Sequence, residues 1–101
     1  MDDYNRGGHT KYSLNVHMIF VTKYRKKLFF GEVAENVKQS LFDAAVKIGV
    51  CITTMETDKD HVHMLIRYKP SMCVSQIASQ LKQRSTYEMW KHYKGMLSKN
   101  Y

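Results

Sequence analysis

The stretch TDKDHVHMLI, residues 57–66, decides how this chain folds. An Asp-Lys-Asp turn precedes an apolar run in which three core-type side chains recur at every second position, Val62, Met64 and Ile66. Side chains alternate between the two faces of a β-strand, so this spacing predicts a strand with one face in the core. His61 and His63 then share the opposite face. One strand therefore offers two imidazoles on the same side of a sheet.

Upstream of this strand, two segments carry clear periodicities. Residues 14–21 alternate between apolar core candidates and a second set that includes His17, which predicts a first strand. In residues 32–48, apolar side chains recur at three- and four-residue intervals, and Gly49 follows where helices commonly stop. This segment is predicted to be the first helix.

Downstream, the pattern predicts a second strand over residues 50–57, the third strand over 61–68, and a helix from Val74 to about His92 or Tyr93. The resulting order, β-α-β-β-α, predicts an α+β fold: a ferredoxin-like antiparallel sheet with two helices on one face, its final strand absent. We expect one domain over residues 1–101, with a flexible arm at 1–10 and a loose polar tail at 94–101.

Composition limits the class of partner. The 101 residues include 16 Lys and Arg against 9 Asp and Glu, giving a net charge of +7, which favours DNA, RNA or acidic membrane surfaces. No apolar stretch approaches the roughly 18 to 20 residues that span a bilayer, and the first residues are not signal-like, so we expect a cytoplasmic protein. Cys51 and Cys73 are predicted to be buried, reduced thiols.

A basic run follows the first strand, Lys23-Tyr24-Arg25-Lys26-Lys27. Such a run is often only a solvated loop. An aromatic ring among cations also suits single-stranded nucleic acid, because a base can stack on the ring while the cations track phosphates. Lys82 and Arg84 on the second helix are candidates to extend this surface.

The paired histidines are candidate metal ligands, although an exposed or structural pair is the alternative. Two imidazoles would need water, phosphate oxygens and a further side chain to complete a shell around magnesium, which prefers oxygen, or manganese, which tolerates imidazole better. His17 either borders the same cleft or is a hydrogen-bonded sheet histidine. For Asp58 and Asp60 we favour local bonding in the turn over metal ligation.

Four segments together resemble one known family: residues 17–20, the basic run, residues 56–63, and Lys82-Gln83-Arg84-Ser85. They resemble, in the same order, the single-tyrosine HUH transposases of the insertion sequence 200/605 group, which cut and rejoin single-stranded DNA. Thr22 stands where that family usually has proline. The resemblance implies that His61 and His63 hold a divalent metal, Mg or Mn, that the basic run and Arg84 lie near DNA, and that the protein forms a homodimer.

In that family, the nucleophilic tyrosine and a third metal ligand follow a last strand, beyond the position of Tyr101. We therefore expect this chain to bind single-stranded DNA hairpins without a nucleophile of its own, and to be inactive alone or to act with a full-length transposase. One alternative is an active transposase that recruits Tyr87, Tyr93 or Tyr101. Another is a non-catalytic remnant or dimerisation module.

Overall fold

The computed structural model describes residues 14–22 and 25–101. Its elements follow the predicted order: β1 (Leu14–Val21), α1 (Gly31–Ile48), β2 (Cys51–Thr57), β3 (His61–Tyr68) and α2 (Val74–Asn100). The α+β fold class is therefore confirmed. The predicted arm at 1–10 lies outside the described residues, as do Lys23 and Tyr24 of the basic run.

Strand β3 occupies the centre of the sheet. The strand order is β1-β3-β2, and both neighbours run antiparallel to β3. Met64 pairs with Met18 on one side and with Met55 on the other, while the register on β2 shifts between Ile52 and Thr54. Paired residues of antiparallel strands point to the same face, so this register assembles the apolar face of all three strands.

Both helices pack on that apolar face. Helix α1 buries one stripe of small and branched side chains, Ala34, Val37, Leu41, Ala44 and Ala45. Helix α2 contributes Ile77 and Leu81, which join the buried β3 side chains in one core cluster. Gly49 ends α1 in the left-handed conformation, at φ 92°, and its N–H donates to the Ala45 carbonyl at 2.9 Å. The predicted glycine stop is confirmed.

Helix α2 extends beyond the end predicted at His92 or Tyr93. The backbone departs from helical geometry at Tyr93, with φ −128° and ψ 33°, and then continues helically to Asn100. Leu97 is 5% exposed and belongs to the core cluster. The prediction of a loose tail at 94–101 is corrected, because the kink at Tyr93 redirects this polar segment so that its apolar side chain reaches the core.

The structure also describes the two cysteines and tests the helices for a membrane span. Cys51 and Cys73 are free thiols, as predicted, but both are exposed rather than buried. Cys51 begins an edge strand and Cys73 precedes the first turn of α2, positions that the core does not cover. In the described part of the chain, neither helix has the length and apolar character needed to cross a bilayer.

Replacing Leu97 tests whether the end of α2 is part of the core. We expect Leu97→Ala to lower the free energy of unfolding by about 2 kcal/mol or more, because a buried side chain is lost and a cavity is left. Urea denaturation followed by circular dichroism measures the change. Lys94→Ala, at an exposed position of the same segment, is the control and should stay within about 0.5 kcal/mol of the parent. Equal free energies of unfolding for the two variants would contradict the packing of Leu97 in the core.

Candidate nucleic-acid and metal site

The sheet face opposite the helices carries the histidines. His61 and His63 lie half-buried on this face, while the side chain of Val62 between them points into the core. Their partners on β1 are Val21 and Ile19, which are 48% and 61% exposed. Glu56 of β2 pairs with His63 from the other side. We call this surface the histidine face; it also includes His17 and Leu65, which pair with each other.

His17 and His63 contact each other across two strands. Nδ1 of His17 lies 3.2 Å from Nε2 of His63, and the ring centroids are 5.3 Å apart with 30° between the ring planes. Because His17 pairs with Leu65, His63 is its diagonal neighbour on the same face. Both possibilities for His17 therefore hold, since it is a hydrogen-bonded sheet histidine that also borders the candidate site.

Asp60 connects His61 to the basic run. Its Oδ1 lies 2.9 Å from Nδ1 of His61, and its Oδ2 accepts a hydrogen bond from Nε of Arg25 at 3.1 Å. The hydrogen bond with His61 and the nearby Arg25 guanidinium lower the pKa of Asp60, against an opposing effect of desolvation. An ionised carboxylate only accepts, so Nδ1 of His61 carries the proton and the Nε2 lone pair stays free for a ligand.

The turn role favoured for both aspartates applies to only one of them. Oδ1 of Asp58 accepts from the backbone N–H of Lys59 at 2.7 Å, as in an ordinary aspartate turn. Asp60 instead binds two side chains. Nothing in the sequence pattern distinguishes the two residues, because Arg25, one of the two partners of Asp60, lies 35 residues away on another loop.

The loop that carries the basic run is fastened to this turn. The backbone N–H groups of Thr22 and Phe29 donate to the carbonyls of Asp60 and Lys59, at 2.9 and 2.8 Å. Arg25 adopts a left-handed conformation, with φ 53°, a strained geometry that its contact with Asp60 helps to hold. The fastening places Arg25 against Asp60, which in turn contacts His61, and Lys27 is exposed in the same loop.

The two cationic residues predicted on α2 lie in different grooves. Nζ of Lys82 sits 5.3 Å from the centre of the Phe20 ring, in a groove that Thr22 and Leu28 also line, so Lys82 borders the same loop. Arg84 lines a separate groove between α1 and α2, together with Asp43, Lys47 and Glu88. The structure therefore brings Lys82, but not Arg84, next to the basic run.

Two of the three tyrosines proposed as substitute nucleophiles, Tyr87 and Tyr93, lie away from the histidine face. Tyr87 is 66% exposed in the groove between the two helices, and the Tyr93 hydroxyl accepts a hydrogen bond from the side chain of Asn36 on α1. Tyr101 lines the groove beside Phe20 and Val21. Tyr87 and Tyr93 thus belong to the helical layer, and the sheet separates them from the imidazoles.

The side chains of the histidine face offer both nitrogen and oxygen donors. Within residues 14–22 and 25–101, no group of three or more His, Cys, Asp or Glu side chains is placed to hold a metal ion. Two imidazoles, those of His17 and His63, are in contact on this face, and Glu56 is the β2 residue that pairs in register with His63. Such a mixed set, completed by water or phosphate oxygens, matches the preferences of Mn²⁺ better than those of Mg²⁺.

The family match and the similar known proteins agree on one family. Residues 10–101 match the family named Transposase IS200 like. The chain is 37% identical over 82 residues to the ISDra2 transposase TnpA of Deinococcus radiodurans, covering 81% of this chain and 59% of that protein. It is 31% identical over 93 residues to the transposase for insertion sequence element IS200 of Salmonella typhimurium, covering 92% and 61%.

The fold is shared as well. A crystal structure named for a transposase from Deinococcus radiodurans R1 matches with a TM-score of 0.80 and 31% sequence identity. That match covers 83% of this chain and 65% of the other. The chain thus spans about three fifths of the length of the curated relatives it matches.

Substitution of Asp60 tests whether its carboxylate sets the tautomer of the His61 ring. In the parent protein we expect the neutral His61 ring to carry its proton on Nδ1, because the Asp60 carboxylate accepts there. Asp60→Asn should shift the ring toward the Nε2–H tautomer, which imidazole ¹⁵N chemical shifts report directly. Asp58→Asn changes a carboxylate in the same turn without touching His61, and should leave the tautomer unchanged. An unaltered tautomer in Asp60→Asn would show that Asp60 does not orient the ring.

Proposed function

The chain belongs to the IS200-like transposase family, and on this premise we propose that it binds single-stranded DNA hairpins and holds a divalent cation, Mg²⁺ or Mn²⁺, against the DNA backbone. The observation that carries the proposal is the chain of contacts from Arg25 through Asp60 to His61. It puts the cation-rich loop and the imidazoles at the same end of the sheet. A phosphate held by the loop would then lie beside the metal ligands.

Charge supports DNA as the partner. The net charge of +7 attracts a polyanion, and the cations of the basic run, Lys23, Arg25, Lys26 and Lys27, are concentrated in the loop that is tied to the histidine face. Tyr24 supplies an aromatic ring between them, which suits an unpaired base. Lys82 extends this surface across the Phe20 ring. Arg84 would contact DNA only along the separate groove between the helices.

His61 and His63 are the proposed metal ligands. Asp60 fixes the proton of His61 on Nδ1, so the ring presents Nε2 to the cation without having to lose a proton there. A cation bound at this place would act as a Lewis acid that polarises a DNA phosphate. The basic loop would orient that phosphate and offset its charge.

Strand transfer in this family proceeds through a tyrosine hydroxyl that attacks the DNA phosphate and displaces a deoxyribose oxygen, which leaves as a hydroxyl; the phosphotyrosyl ester keeps the phosphodiester energy for rejoining. Tyr87 and Tyr93 lie in the helical layer, behind the sheet, so neither faces the imidazoles of its own protomer. We therefore propose that this chain supplies DNA binding and metal ligation. A full-length transposase partner would complete the reaction, and we also propose that the chain forms a homodimer.

A dimerisation module without a DNA role is the second candidate. The exposed apolar side chains Ile19 and Val21 favour it, because apolar groups on an open sheet face often mark an interface. The two candidates differ in one measurable respect, since only the first predicts specific dependence of DNA binding on the basic loop.

Hairpin binding tests the proposed surface. We expect the double variant Lys26→Ala, Lys27→Ala to bind single-stranded hairpin DNA more weakly, because two phosphate contacts are lost. Fluorescence anisotropy across a salt series should show a slope of log K against log salt reduced by about 1.4. Lys38→Ala, Lys69→Ala removes the same charge from α1 and from the end of β3 opposite His61, outside the groove that borders the basic loop, and is the control. Equal weakening by both pairs, or no hairpin binding by the parent, would overturn the site and favour the second candidate.

The search for a covalent protein–DNA adduct tests whether this chain has a nucleophile of its own. Incubation of the protein with Mn²⁺ and labelled single-stranded hairpin DNA, followed by a denaturing gel, should give no protein–DNA adduct, because the helical tyrosines do not face the metal ligands. An adduct that disappears in Tyr87→Phe, Tyr93→Phe or Tyr101→Phe would instead identify the nucleophile and show an active transposase.

A further inference from the structure

We propose that the groove between β1 and α2 binds one unpaired base of single-stranded DNA, with the indole ring of Trp90 as the stacking surface. This inference rests on the proposed function, because the base belongs to a strand whose phosphates the basic loop holds. The groove lies on the helical side of the sheet, away from the histidine face. Stacking uses the flat face that every base has, so the groove accepts any of the four bases.

The size and lining of this groove suit a nucleobase. Its volume is about 490 Å³, within the range of about 300 to 1,000 Å³ that sites for small molecules occupy. Buried side chains such as Leu41 and Val62 line it, together with the half-exposed ring of Trp90. A base is a flat ring with polar edges, and such a ring gains from an apolar cavity that has an aromatic side chain at its margin.

One face of α2 presents three kinds of group to the groove in succession. Lys82 comes first, Ser85 and Thr86 follow one turn later, and Trp90 follows after a further turn. Positions at three- and four-residue spacing lie on one side of a helix. The cation suits a phosphate, the hydroxyls can donate to or accept from the edge of a base, and the indole suits its face. A nucleotide can therefore use all three groups.

Charge distinguishes this groove from the one between α1 and α2. None of the described residues that line it is Asp or Glu, and its cation, Lys82, sits 5.3 Å from the centre of the Phe20 ring. The groove between the helices carries Asp43 and Glu88 beside Arg84. Carboxylates repel the phosphates of a DNA strand, so the strand favours the groove whose described lining lacks them.

The groove is continuous with the basic loop. Thr22 and Phe29 flank the basic run, and both line the groove. The same two residues donate their backbone N–H groups to the turn that precedes His61, at 2.9 and 2.8 Å. A strand whose phosphates lie along the loop therefore passes the edge of the groove, where one of its unpaired bases can turn inward.

The fluorescence of Trp90 tests base binding directly, because the chain contains one tryptophan. The full chain is titrated with hairpin DNA that carries a single-stranded thymidine arm, and we expect the emission to fall as a base stacks on the indole. The same hairpin with an abasic arm of equal length keeps the phosphates but lacks the bases. It should bind more weakly and leave the emission unchanged. Equal quenching by the two hairpins would overturn stacking.

Substitution of Trp90 measures how much stacking contributes to affinity. Trp90→Leu should weaken binding of the thymidine-arm hairpin about 10-fold in fluorescence anisotropy of labelled DNA. The slope of log K against log salt should stay the same, because no phosphate contact is lost. Trp90→Phe keeps an aromatic ring and should restore most of the affinity. Phe42→Leu removes a ring with the same 39% exposure from α1, outside both grooves, and should bind like the parent.

The outcomes separate this inference from the proposed function. Full affinity in Trp90→Leu, with weaker binding by Lys26→Ala, Lys27→Ala, would overturn base binding in the groove and spare the proposed function. Absence of hairpin binding by the parent would overturn both. Trp90 emission that changes with protein concentration in the absence of DNA would assign the groove to a contact between copies of the chain, and would also overturn base binding.

Discussion

Strand β3 pairs with a strand on each side, and the side-chain alternation along it constrains everything else in the structure. Val62, Met64 and Ile66 are no more than 1% exposed, so any slip by one residue would move them to the open face and drive His61 and His63 into the core. The free energy of burying the apolar set therefore also sets the position of the imidazoles. The candidate site and the hydrophobic core are opposite faces of one strand.

The turn before β3 connects this strand to the basic loop. Asp60 accepts from Arg25 and contacts His61, while its backbone carbonyl accepts from Thr22. Exposed ion pairs contribute little to stability, and the Arg25 side chain is 68% exposed. The contribution of this junction is orientation, because it ties the cation-rich loop to the central strand and selects one tautomer of a candidate ligand.

The layered arrangement separates the helical tyrosines from the imidazoles of the histidine face. Helices α1 and α2 cover the apolar face, and Tyr87 and Tyr93, both on α2, lie in this helical layer. The histidine face is left to the donors and to exposed apolar side chains such as Ile19. A sheet covered on one side only can hold a metal and a DNA strand on the other, and it can meet a second protein there. The proposed split between metal ligation and nucleophile follows from this one-sided covering.

The sequence by itself determined the α+β fold, the order of the five elements, the stop of α1 at Gly49 and the side of β3 on which His61 and His63 lie. These are local properties, because periodicity and turn chemistry act over a few residues. Tertiary structure alone decided that Asp60 joins Arg25 to His61, that His17 meets His63, that Lys82 and Arg84 separate, and that α2 continues past Tyr93 to bury Leu97. Each of these depends on which distant segments the sheet register and helix packing bring together, and no local pattern encodes that.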